Sequence, residues 1–174
     1  MESKENINKM LKAKAMNLGL CRQWTDEWSL ESDFETLVDK YKRGLDFCIE
    51  HNYPSNELIK TMFDRDALIE NHIYVDENLD VSNCKSDIYV IQGDSDVSIT
   101  FGDYCVATIF VRHSSKVSIV CKDHARVFVR LYDMCSAHVY QHNESKVFVK
   151  RHSDDVSLTT MGKITVKERN LDET

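Results

Sequence analysis

Cys48 and His51 stand three residues apart, a spacing that puts two side chains on one face of a helix. A thiol beside an imidazole is the pairing that generates a thiolate nucleophile. Such a pair also needs a third group to orient the imidazole and donors to hold an oxyanion, and no motif here supplies either. Cys48 moreover extends the apolar series Phe34, Leu37, Val38, Tyr41, Leu45 and Phe47, which reads as the buried side of a helix. A core cysteine explains the position with fewer demands. The chain therefore reads as non-enzymatic, with a Cys48/His51 enzyme in the helical region as the alternative.

Metal chemistry is no better supplied. His113, His124, His138, His142 and His152 fall at turn or outward positions with no shared ligand spacing. Asp103, Asp123 and Asn143 recur every twenty residues, as do His113, Asp133 and Ser153. Stacked aspartates can hold calcium, but that ion needs six to eight oxygens, and Gly93 and Gly102 are the only glycines at hand to bring backbone oxygens to it. Asp and Asn also make turns by bonding their own backbone. No metal or other cofactor is expected. The chain has six cysteines and no C-x-x-C pair; Cys105, Cys121 and Cys135 read as small inward residues, not disulfide partners.

The strongest signal for binding is a pair of cation columns. Aligning successive coils stacks Arg126, Lys146 and Lys163 in one column and Arg130, Lys150 and Lys167 in another. Thr108, Phe128, Phe148 and Thr165 run between them. Like charges at strand spacing repel by roughly 0.2–1 kcal/mol per pair, and an outward aromatic strip favours being covered. Three coverings fit: the N-terminal helices, a partner protein or second copy, and single-stranded nucleic acid stacked on the rings. A formal charge of -7 weighs against nucleic acid. The predicted contact surface is Arg126, Phe128, Arg130, Lys146, Phe148 and Lys150.

What places these residues is a ten-residue repeat. Small residues recur at Ser95, Cys105, Ser115, Ala125, Cys135 and Ser145. Aliphatics follow two and four positions on, as in Val97/Ile99, Val117/Ile119, Val127/Val129 and Val147/Val149. Strand side chains alternate between faces, so these aliphatics point inward. Two units make one twenty-residue coil: Val106–Phe110, Arg126–Arg130, Lys146–Lys150 and Lys163–Lys167 form one set, and Asp96–Thr100, Lys116–Val120, Ser136–Tyr140 and Asp155–Thr159 the other. The predicted fold is mainly β, a small β-solenoid of four to five coils with an α-helical N-terminal cap. A flat two-sided coil fits the period best, and a three-sided one is the alternative.

The helical region spans 1–71, the solenoid 72–167, and 168–174 a frayed tail. A first helix is predicted from Asn6 to about Trp24, and a second opens at a Ser32/Glu35 capping box and runs to about Asn52. After Pro54, Ser55 caps a third through about Phe63, and a helical turn follows at Asp66–Asn71. Trp24 and Trp28 read as pins for the helical cap or as anchors for a partner. The helices on either side of Pro54 have the outline of a helix-turn-helix, but the third helix carries a single cation, Lys60, which does not suit groove reading. The charged start Met1–Asn6 is not a secretory signal and no run is long enough to span a membrane, so a cytoplasmic location is expected.

The segment Lys40–Ser55 (KYKRGLDFCIEHNYPS) and the later stretch Ala125–Asp133 (ARVFVRLYD) resemble an uncharacterised family of gut Bacteroidetes, their prophages and mobile elements. The resemblance implies a β-solenoid protein that a phage would encode, acting in the host-cell cytoplasm as a virion component or an inhibitor of a host protein. It brings no catalytic residue with it. The reading is a non-enzymatic binding or scaffold protein with a macromolecular partner. Lys163, Lys167, Glu168 and Arg169 guard the last strand edge, which favours a defined homodimer over a fibre if the chain self-associates.

Overall fold

The computed structural model describes residues 4–30, 33–82 and 84–169. The chain divides into two compact units, Met1–Ala67 and Leu68–Thr174.

Where one first helix was expected there are two, α1 (Lys4–Asn17) and α2 (Arg22–Asp26). Gly19 ends the first at φ 95°: its N–H reaches Met16 O and that of Leu20 reaches Ala15 O, both at 3.0 Å. This is the left-handed glycine stop that keeps the last carbonyls of a helix from being orphaned. The second expected helix is also two, α3 (Phe34–Arg43) and α4 (Leu45–Glu50), separated at Gly44. Asp33 caps α3, its carboxylate accepting Thr36 N–H at 2.9 Å; Ser32 of the expected capping box lies outside the described residues. α5 (Asn56–Met62) is capped by Ser55 as predicted, and α6 (Arg65–Glu70) follows. Leu11, Ala15 and Tyr53 form one buried cluster of the first unit, with the Tyr53 hydroxyl donating to Leu11 O at 3.0 Å, and Val38, Leu45, Cys48 and Ile59 are buried in that unit as well.

The second unit is a two-sided parallel β-solenoid of about five coils. One sheet, here sheet A, stacks β1 (Ile73–Val75), β3 (Ile88–Gln92), β5 (Val106–Val111), β7 (Arg126–Leu131), β9 (Lys146–Arg151) and β11 (Ile164–Lys167). Sheet B stacks β2 (Asn78–Val81), β4 (Asp96–Phe101), β6 (Lys116–Cys121), β8 (Ser136–Gln141) and β10 (Ser157–Met161). The register is offset by twenty residues through the regular coils, as in Val127↔Val147 and Ile99↔Ile119. Inward aliphatics from both sheets are buried in one continuous cluster, with Tyr74, Tyr89 and Phe101 filling the first coils and Ile69 of α6 packed against it.

The corners explain the polar period. Asp103, His113, Asp123, Asp133 and Asn143 all adopt left-handed backbone, φ 51–59°. That conformation costs most L-residues about 1–2 kcal/mol, and short polar side chains tolerate it best. Their side chains then brace the coil before: Asp123 Oδ2 accepts Asp103 N–H at 3.2 Å, and Asp133 Oδ2 accepts His113 N–H at 2.9 Å. His113 Nδ1 accepts Gly93 N–H at 3.1 Å. Serines in the small slots close the turns from inside, as where buried Ser145 Oγ donates to His142 O at 2.7 Å.

The last coil departs from the predicted alignment. Ser157 pairs with Ser136 and Leu158 with Ala137, so the strand starts two residues later than the Asp155–Thr159 grouping assumed. The turn before it is longer, and Val156 drops into the small slot that Cys135 fills one coil earlier. Arg151 braces this turn by donating to Asp154 O at 3.3 Å and Val156 O at 3.1 Å. The turn into β11 is short because Gly162 sits at φ 102°, where a Cβ would fall 2.5 Å from Gln141 O. Consequently His138 lies beside Thr159, not Ser157.

Candidate functional site

The outer face of sheet A has two parts. Ile73, Val90, Gln92, Phe110 and Arg112 occupy outward positions on its first three strands or just beyond them, yet none is more than 6% exposed. From β7 onward the face opens. Phe128 is 40% and Phe148 37% exposed, and Arg126, Lys146, Lys163 and Lys167 are exposed with them.

Parallel pairing brings the predicted residues together. Arg126 pairs with Lys146, Phe128 with Phe148 and Arg130 with Lys150; Thr165 and Lys167 then extend the inner and second columns past β9. The two phenyl rings stack 5.2 Å apart at 13°. Four residues of strand separate the cation columns, about 13 Å at strand rise. No carboxylate stands at an outward position between Arg126 and Arg130, Lys146 and Lys150, or Lys163 and Lys167. The arrangement is a flat apolar strip between two positive rails.

Sequence reasoning missed how the strip begins. Phe110 sits in the column of Arg130 and Lys150 and is buried, with the Arg130 guanidinium 5.3 Å from its ring centroid. Tyr132 stacks near Phe110 at 6.4 Å and on His152 at 4.3 Å, forming an aromatic ladder at the strand ends. The alignment contains the signal: Val106 and Phe110 stand on β5 where later coils carry cations, so both rails start at β7.

The other candidates keep to structural positions. Cys48 is buried, and the His51 ring lies against Phe47, with centroids 4.5 Å apart. Trp28 packs on the helical core and donates from Nε1 to Asn8 Oδ1 at 2.7 Å, while Lys40 and Arg43 lie over Trp24 at 5.5 and 5.1 Å. Lys60 pairs with Glu57 at 3.0 Å. His124 stacks on Tyr104 at the corner, 4.9 Å between centroids. Burial and then the Arg112 charge hold His113 below the usual histidine range, partly offset by Asp133 and Asp76. Burial raises the Cys121 thiol to about 12 and the Cys135 thiol to about 11. All six cysteines are free, and among the described residues no three His, Cys, Asp or Glu gather as a metal site. Nor is any described helix long and apolar enough to cross a membrane.

Compared with protein-family models, curated proteins and solved structures, the chain matches none.

Proposed function

We propose that the chain is a non-enzymatic binding module whose β-solenoid presents the outer face of β7, β9 and β11 to a partner protein. The observation carrying this reading is the exposed Phe128–Phe148 stack held between two columns of cations. Aromatic and arginine side chains are the residues that most often dominate protein contacts. A rigid sheet also fixes their spacing in advance, so little conformational entropy is lost on binding. The resemblance read from Lys40–Ser55 and Ala125–Asp133 would make a virion protein or a host protein the first partner to seek.

The test compares wild type with Phe128→Asp/Arg130→Glu in affinity capture, followed by direct binding of the purified captured protein. The reading expects one protein bound by wild type and lost by a variant whose circular dichroism and melting temperature are nearly unchanged. A large fall in melting temperature, or undiminished capture, would show that the strip serves internal packing.

A further inference from the structure

We infer that the partner element seated on this face is an acidic amphipathic helix lying along the solenoid axis, across the strands. The inference rests on the binding-module reading and specifies its ligand. Three dimensions support it. The rails lie about 13 Å apart, close to the 10–12 Å diameter of a helix with its side chains. Phe128, Phe148 and Thr165 line the open face of β7, β9 and β11, about 10 Å at strand spacing, or nearly two turns of helix. Strand spacing of about 4.8 Å also lies near the helical pitch of about 5.4 Å, so successive turns meet successive strands.

Charge and polarity then fix the helix's composition. The apolar strip calls for apolar residues at i, i+3, i+4 and i+7, the pattern of helices that dock in grooves. Arg126, Lys146 and Lys163 on one side and Arg130, Lys150 and Lys167 on the other call for carboxylates flanking that stripe on both edges. Single-stranded nucleic acid fits less well. A base inserted between two rings needs about 3.4 Å on each side, roughly 6.8 Å in all, whereas Phe128 and Phe148 are 5.2 Å apart and nearly parallel. Bases would be left only the outer faces of the pair.

The experiment uses the full chain and fluorescence anisotropy with three probes: a side-chain-stapled peptide with leucines on one face and glutamates flanking them, a stapled peptide of identical composition with that order permuted, and a single-stranded oligothymidylate. The amphipathic peptide should bind at least about tenfold tighter than either other probe, equivalent to about 1.4 kcal/mol. Phe128→Asp/Arg130→Glu should abolish that preference. Lys146→Gln/Lys150→Gln, which retains the phenyl stack, should weaken binding and flatten its salt dependence even if the first variant misfolds. Equal binding of both peptides, or tighter binding of the oligonucleotide, would overturn the helix while leaving a binding face in place. No peptide binding, with Phe128-dependent protein capture intact, would also overturn the helix alone. If that capture fails too, the binding-module reading falls with it.

Discussion

Replacing Asp123 separates the two jobs that a corner residue performs. Its backbone is left-handed at φ 57°, and its carboxylate accepts the Asp103 N–H of the previous coil at 3.2 Å. Asp123→Ala loses the hydrogen bond, about 1 kcal/mol at a partly exposed site, and adds about 1 kcal/mol of left-handed strain. The sum is about 2 kcal/mol. At roughly 2–4 °C per kcal/mol for a chain of this size, the melting temperature should fall by about 4–8 °C. Asp123→Gly removes the strain but not the lost bond, so it should cost about half as much. Asp123→Asn keeps both an acceptor and left-handed tolerance and should stay within about 0.5 kcal/mol of wild type. The assay is thermal and urea unfolding followed at the β-sheet circular dichroism band. Glycine as damaging as alanine would refute the strain contribution, and asparagine as damaging as alanine would refute the acceptor role.

Further outcomes are open to measurement. Because burial keeps the folded His113 below its unfolded value near 6.5, the unfolded chain binds the extra proton. Its contribution is therefore complete above about pH 6.5 and should be lost as the pH falls below that, at no more than about 1.4 kcal/mol per pH unit; His113→Asn should flatten the acid limb of the stability profile. In native protein a thiol reagent should label exposed Cys21 rapidly and Cys48, Cys105, Cys121 and Cys135 only on unfolding, whereas fast native labelling of Cys48 would revive a nucleophile. A double-mutant cycle of Phe128→Ala and Phe148→Ala should return a coupling of about 0.5–1.5 kcal/mol; additive losses would show that the rings do not stack in solution.

The solenoid was legible because its interior repeats. Val97, Val117 and Ala137 must all turn inward, and a slip of one residue would send each to solvent, so sequence spacing and ladder register coincide. The same logic placed Phe128 beside Phe148 and Arg130 beside Lys150. It failed at the last coil, where an extra residue in the turn after β9 leaves two competing apolar alignments and Val156 mimics an inward strand residue. Helix ends failed for a different reason. Gly19 and Gly44 interrupt stretches whose apolar spacing runs on across them, Gly19 in left-handed backbone and Gly44 at φ -98°, and periodicity does not register a break at one residue. The buried state of Phe110 and Arg112 was not legible, since burial of an outward side chain depends on what lies over it and not on its own strand.

The turn ladder gives the molecule a fixed pitch, which makes length a heritable variable. From β7 onward each further coil adds one row to each rail and one rung to the strip between them, in register with the rest. Duplicating residues 126–145 within the reading frame would lengthen the face by about 4.8 Å without redesigning the core, because the new coil meets neighbours with the same inward pattern. Coil number therefore sets how many rows the face presents, independently of the spacing within any one row.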